Sequence, residues 1–329
     1  MTTTTRRGVL GAMLAAPAIL APGSVPSARA QGAWPNKPVK LILPYAPGGA
    51  TDIIGRPWAD KLGQAFGQPF VIDNRGGAAG GIGTEAVAKS APDGYTFLLT
   101  PAGPLTVLPH LRRVAYAVPK ELVPVGRVGD LVCGFTIRPE LGINTMAELV
   151  AHAKKNPGKL AFGSAGAGSS THMRIEALKA AAGIDILHVP YRGSADALND
   201  LLAGSVHMMN EINVIPHIKV GKLKLLAVSN PTRHPDFPDV PTLTEAGFPN
   251  IDVPIWYAVW APAATPPEIV AAFNARIREI AATPDMVQRM RGINVVVPGE
   301  TPDQTLAYFE RDFAANGQLI RDKKITLEG

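Results

Sequence analysis

The nine residues Pro44-Tyr45-Ala46-Pro47-Gly48-Gly49-Ala50-Thr51-Asp52 stand between an apolar run, Val39 to Leu43, and the apolar positions Ile53, Ile54, Trp58, Leu62 and Phe66. The run reads as a buried strand and the later spacing fits one helix face, so the nine residues form a strand-to-helix turn. Two adjacent glycines let such a turn take positive φ and bring bare backbone N–H groups against a ligand. The helix behind it leaves its first N–H groups unpaired and points its positive dipole end at the turn. The chemistry on offer is anion binding, with a carboxylate as good a guest as a phosphate. The same pattern also suits an ordinary turn in which Thr51 or Asp52 serves only as a helix cap.

A second stretch repeats the design. Lys159 to Gly163 reads as a strand, Gly163 to His172 as a turn rich in glycine and hydroxyls, and Ser169 to Ala182 as a helix. Ser164, Ser169, Ser170 and Thr171 add side-chain donors to the backbone of this turn, and two such turns could face each other across a cleft. Tyr191 and Arg192 end another strand, where the guanidinium could fork onto a carboxylate; a solvated Arg beside a structural Tyr is the equal alternative. Ser194 or Asp196 then caps a helix running to Ala203.

Catalytic readings find little support. No G-x-S-x-G elbow is present, and His172 shares a helix face with Ser169 instead of approaching it as a base. The seven histidines have no metal-binding spacing, so neither a metal nor a cofactor is expected. The glycine-rich Asp73 to Gly83 misses the G-x-G-x-x-G spacing and carries no phosphate-loop lysine.

These residues must be positioned by alternating strands and helices. Val39–Leu43, Phe70–Ile72 and Tyr95–Thr100 read as strands joined by helices, which predicts a mostly parallel sheet. The ligand crevice of such a sheet lies at the carboxyl ends of its strands, so the turns after Leu43 and Leu99 are the expected binding wall. A second unit begins near Leu131, with strands at 132–138, 159–163, 206–209 and 225–229. Val253 to Trp260 is a long strand that returns the chain to the first domain, followed by helices near 266–280, 284–291 and 302–321.

The first thirty residues read as an export signal. Arg6 and Arg7 precede a short apolar run and then Ala28-Arg29-Ala30, with both the twin-arginine and the general route open. Cleavage there removes three arginines and no acid, taking the net charge from +5 to about +2. That leaves no polybasic surface for nucleic acid. The single cysteine, Cys133, reads as a buried small hydrophobe. About 300 mature residues exceed one typical core, which makes two domains the natural expectation.

Several segments, taken in order, resemble the substrate-binding receptors of tripartite tricarboxylate transporters, the Bug receptors. They are PYAPGGATD, DNRGGAAGGIGTEAVAKSAPDGYT, FGSAGAGSSTH, VPYRGSADALNDLLAGSV, GKLKLLAVS and DVPTLTEAGFP, and together they cover nearly the whole mature chain. The resemblance implies a two-domain periplasmic binding protein of type II that closes like a flytrap on a small organic carboxylate. It implies no enzymatic activity, no stable membrane insertion and a monomer that docks on a large and a small membrane subunit. The turns Pro44–Asp52 and Gly163–His172 would then hold one carboxylate through backbone groups and bound water. The expected ligand-binding residues of the first turn are Tyr45, Pro47, Gly48, Gly49, Ala50, Thr51 and Asp52, joined by Ala102 and Gly103. From the second domain they are Ser164, Ala165, Gly168, Ser169, Ser170, Tyr191, Arg192 and Asn210. Domain 1 is expected over 31–130 and 255–329, domain 2 over 131–254.

The chain departs from the family pattern at His207, where an acid is expected, in a shortened Asn210–Pro216, and in the hydroxyl-poor loop PAGPLTV at 101–107. An apolar lining near Leu105 would suit an aromatic or longer aliphatic acid. A periplasmic enzyme acting on a carboxylate or ester, and a receptor that presents solute to a membrane sensor, are the alternatives.

Overall fold

Val39–Leu43 (β1) is a strand and Ala50–Phe66 (α1) is the helix behind it, with Leu41, Leu43, Ile54, Trp58 and Leu62 all fully buried between them and their neighbours. The computed structural model describes residues 34–251 and 255–327. The expected signal segment lies outside the described residues.

The chain continues through Phe70–Asn74 (β2), Gly81–Ala88 (α2), Thr96–Pro101 (β3), two short helical turns, Gly103–Thr106 (α3) and Leu108–Leu111 (α4), and Leu122–Leu131 (β4). It then builds Gly134–Ile137 (β5), Met146–Lys155 (α5), Ala161–Ser164 (β6), Ser170–Ala182 (α6), Leu187–Pro190 (β7) and Ser194–Ala203 (α7). Met208–Met209 (β8), Ile215–Lys219 (α8) and Lys224–Val228 (β9) follow. The chain returns as Trp256–Pro262 (β10), Pro267–Ala281 (α9), Pro284–Gly292 (α10), Val295–Val296 (β11) and Pro302–Lys323 (α11).

Two sheets result, ordered β11-β4-β10-β3-β1-β2 and β7-β6-β8-β5-β9. Both are mixed, which corrects the expectation of mostly parallel sheets. β1 pairs in parallel with β2 and β3, but β10 runs antiparallel to β3 and β4. In the second sheet β6 is parallel to β7 and β8, while β5 is antiparallel to β8 and β9. The reason is topological: a strand entered from the other sheet needs no right-handed crossover and is free to run either way.

Helix starts follow the capping rules. Thr145, Ser169, Thr283 and Thr301 each accept a bond from a first-turn N–H, and Thr301 with Gln304 completes a capping box on α11. Each sheet has its own core. Ile42, Leu98, Trp256, Trp260 and Phe309 pack on the first, and Phe135, Leu149, Phe162, Ile175 and Leu226 on the second. β4 is tied to α11 by Arg127, whose buried guanidinium reaches Asp130 (3.2 Å) and Glu300 (3.1 Å) and lies over the Tyr308 ring.

The chain leaves the first sheet after Leu131 and reaches it again at Ile255, whose carbonyl accepts the Leu131 N–H at 2.8 Å. The end of β9 is bonded to the link that follows Leu131. Asn230 donates to the Leu131 carbonyl (2.9 Å) and accepts from the Cys133 N–H (3.2 Å), while Ser229 N donates to the Cys133 carbonyl at 2.7 Å. Cys133 is buried here and burial pushes its thiol up to about 12.

Candidate functional site

Gly48 takes φ +78° and Gly49 stands at the N-cap of α1 with no side-chain cap, so neither Thr51 nor Asp52 has that role. Asp52 instead braces the turn from behind. Its carboxylate accepts the Gly48 N–H (3.1 Å), a two-pronged bond from Arg56 (2.8 and 3.0 Å) and a longer one from Asn74 (3.4 Å). Burial opposes its charge, but these donors outweigh it and hold the carboxyl below its ordinary range. Asn74 also donates to the Tyr45 carbonyl, fixing the start of the turn.

The first N–H of α1 is capped from elsewhere: Ala50 N donates to Ser194 Oγ at 3.0 Å. Ser194 is the first residue of α7, whose own cap is Gly193 with no side-chain bond. The hydroxyl expected to cap its own helix therefore caps a helix that packs on the other sheet.

In the second turn Gly166 and Gly168 take φ +127° and +89°. The hydroxyls shape the loop itself. Ser164 Oγ accepts the Gly166 N–H (3.1 Å), Thr171 Oγ1 accepts the Ala165 N–H (3.0 Å) and Ser169 Oγ accepts the His172 N–H (3.2 Å). His172 Nδ1 accepts the Gly168 N–H at 3.1 Å. Its ring stacks on His188 with centroids 4.0 Å apart, and His188 Nε2 lies 2.6 Å from Ser164 Oγ. Burial pushes the two imidazoles down to about 4 and about 3, so both are neutral near pH 7. Ser164 is 1% exposed and outside the cavity wall, which makes this Ser–His contact a brace and not an exposed nucleophile.

Between the turns lies a small half-open cavity: about 330 Å³ is free of protein atoms when the solvent at its mouth is counted, and the cavity volume itself is about 20 Å³. Tyr45, Gly49, Ala50 and Thr51 line it from the first turn, and Ala165, Ser169, Ser170 and Thr171 from the second. Pro101 and Ser194 add to the wall, and Glu211, Ile255 and Tyr257 complete it. The N-terminal ends of α1 and α6 thus share one small space. Among the described residues no Lys, Arg or His lines it, so an anion held there would rest on N–H and O–H donors. Among the described residues no group of three or more His, Cys, Asp or Glu could hold a metal ion.

The other expected residues fall around the cavity. Pro47 and Gly48 are exposed on the turn, while Asp52, Ser164 and Gly168 shape the turns without lining the space. Ala102 lines a neighbouring cavity shared with Ser170, and Gly103 packs directly against the Ser169–Ser170 backbone. Tyr191 and Arg192 line a separate surface groove with Ala79 and Gly166, and Tyr191 Oη donates to Asp200 at 2.6 Å. Asn210 is fully buried, donating to Ser229 Oγ (2.7 Å) and accepting from Arg174 (3.3 Å).

His207 lies outside the wall too, accepting the Ala161 N–H at 2.9 Å, and Leu105 is buried in the core of the first sheet, so neither shapes this cavity. Pro101 and Thr171 belong to turns expected at the wall without being singled out as ligand-binding residues, and Ser194, Glu211, Ile255 and Tyr257 were not expected there. Thr171 and Ser194 stood in stretches already singled out, but Tyr257 lies inside a strand whose apolar pattern signals only core. Glu211 is the unusual member. It is 4% exposed, its Oε2 has no hydrogen-bond partner, and burial lifts its carboxyl to about 7 against the pull of Arg174.

Residues 54–325 match the family model described as the tripartite tricarboxylate transporter family receptor. Protein BugT of Bordetella pertussis is 36% identical over 318 residues, spanning 95% of this chain and 96% of BugT. Among solved structures, periplasmic binding protein BugD matches at TM-score 0.84 and 32% identity, over 89% of this chain and 99% of BugD. An R. palustris protein solved with adipate matches at TM-score 0.86 and 31% identity, over 89% of this chain and 99% of its own. MatC from Rhodopseudomonas palustris, solved with bound malate, matches at TM-score 0.83 and 28% identity, over 87% of this chain and all of MatC. The two sheets with their flanking helices are a periplasmic binding-protein fold, and the chain belongs to the tripartite tricarboxylate transporter receptor family.

Proposed function

We propose that this protein is an exported receptor that captures a small organic carboxylate and delivers it to the large and small membrane subunits of a tripartite tricarboxylate-type transporter. One observation carries the reading: the N-terminal ends of α1 and α6 meet at one half-open cavity with no cation among the described residues of its wall. Backbone N–H groups and two helix dipoles are the donors that a carboxylate needs there. The relatives solved with adipate and malate support the same class of guest. Residues 31–130 with 255–329 form one domain and 131–254 the other, closing on the solute as a monomer in the periplasm. No residue in the wall has the exposed nucleophile and base of a hydrolase.

The test is a thermal-shift panel of the exported protein against malate, adipate, citrate and benzoate. Binding to the native state alone raises stability by about 2.7 kcal/mol at a hundredfold excess over Kd. A shift with one acid is expected, and it is lost in Gly49→Val, whose side chain would start 3.0 Å from Ser194 Oγ. If no acid shifts the protein and mass spectrometry finds none co-purified, the reading fails.

A further inference from the structure

Glu211 is an acid placed where an acid is least welcome. It sits in the wall of a cavity read as an anion site, 4% exposed, with Oε2 bonded to nothing. A carboxylate and a captured carboxylate in one small cavity repel each other, and among the described residues no cation in the wall offsets the repulsion. The neutral acid reverses the sign of the contact. It carries one O–H donor, and the guest's oxygen supplies the acceptor that the protein does not.

We propose that Glu211 acts as a neutral carboxylic acid that donates a hydrogen bond to the bound anion, so that each capture is coupled to one proton. The proposal rests on the carboxylate-receptor reading and adds to it a specificity residue and a proton linkage.

The surroundings of Glu211 agree. The ionisable groups that face it are Tyr45 after β1, Tyr257 on β10, Arg174 on α6 and Cys133 between the sheets. Burial keeps both tyrosine hydroxyls and the Cys133 thiol neutral near pH 7, so none of the three competes as an anion. Arg174 and a hydrogen bond from the Ile212 backbone N–H favour the charged form of Glu211. Arg174 also donates to Asn210 Oδ1 at 3.3 Å and lies 3.8 Å from Cys133 Sγ. Burial outweighs both and leaves the carboxyl at about 7, so the acid is neutral below that pH and charged above it. An anion in the cavity raises that value further, which is the same coupling seen from the other side.

The sign follows. Affinity for the anion is highest below pH 7 and falls up to tenfold per pH unit above it, as a proton must first be taken up. Free carboxylic acids titrate near pH 4 to 5, about two units lower, so the guest's own ionisation does not produce this fall.

Calorimetric titration with malate, adipate and benzoate between pH 6 and 9, in buffers of different ionisation enthalpy, tests it. The unmodified protein is expected to take up close to one proton per acid bound at pH 8. Glu211→Gln, which imitates the neutral acid, is expected to bind as tightly at pH 9 as at pH 6 without proton uptake. Binding without proton uptake by the unmodified protein overturns the proposal and leaves the receptor reading standing. Loss of binding in a folded Glu211→Gln variant also overturns it, because the charged carboxylate is then the working form, facing a cationic group of the guest. If no acid binds either protein at any pH, both this proposal and the receptor reading fail.

Discussion

Gly103 offers the sharpest test of whether capture requires the two sheets to approach. It begins α3 beyond β3, in a helical conformation that alanine adopts freely, so the substitution Gly103→Ala strains no backbone and favours the helix by about 0.5–1 kcal/mol. The obstacle is across the cleft. A Cβ on Gly103 would lie 2.6 Å from Ser170 N, 3.0 Å from Ser169 C and 3.1 Å from Ser169 Cα, all backbone atoms of the α6 N-terminus. Ordinary contact needs about 0.8 Å more, and neither partner has a flexible end to yield. Overpacking of this kind costs about 1–3 kcal/mol, charged only to the closed form. Affinity for the captured acid is expected to drop roughly 5- to 150-fold, while unfolding of the free protein by urea shifts little or to higher concentration. Isothermal titration measures the first and small-angle scattering reports whether the bound protein stays more extended. An alanine variant that binds with unchanged affinity would refute the idea that this contact closes over the guest.

Two further outcomes are expected. Arg127→Met strips the guanidinium from between Asp130 and Glu300 and leaves two largely buried acids unpaired; a loss of about 3 kcal/mol in urea unfolding is expected, and a loss under 1 kcal/mol would mean the network is solvated. The stacked His172 and His188 titrate at about 4 and about 3 when folded, against an ordinary 6.5. The unfolded chain therefore binds protons first, so stability is full above pH 6.5 and is lost as pH falls through about 4 for His172 and about 3 for His188. His188→Gln is expected to flatten that decline in melting temperature, and an equally steep decline would show that carboxylates alone cause it.

The glycine pairs and the period-3.6 apolar stripe of Ile54, Trp58 and Leu62 made the first turn legible, because both signals are local. Ser169 announced its helix for the same reason. β4 was not legible: Pro124, Gly126 and Gly129 punctuate it, and only its pairing with β10 makes Leu122–Leu131 a strand. Strand direction was beyond reach, since it depends on which sheet a segment joins and not on its own residues. At the site, the turn hydroxyls looked like ligand donors because composition cannot say whether Ser164 bonds a guest or the Gly166 N–H. Tyr191 and Arg192 sat at a strand end as expected, yet the loop turns them to another groove. Glu211 escaped notice because a single acid beside Asn210 has no pattern; only its burial sets it apart.

The link after Leu131 is held on both sides. Leu131 N donates to the Ile255 carbonyl and Val132 N to the Asn294 carbonyl, both at 2.8 Å, while Cys133 is bonded to Asn230 and Ser229 at the end of β9. Drawing the two sheets apart along this line would break several buried hydrogen bonds together, so the seam between them is a stiff edge and not a loose tether.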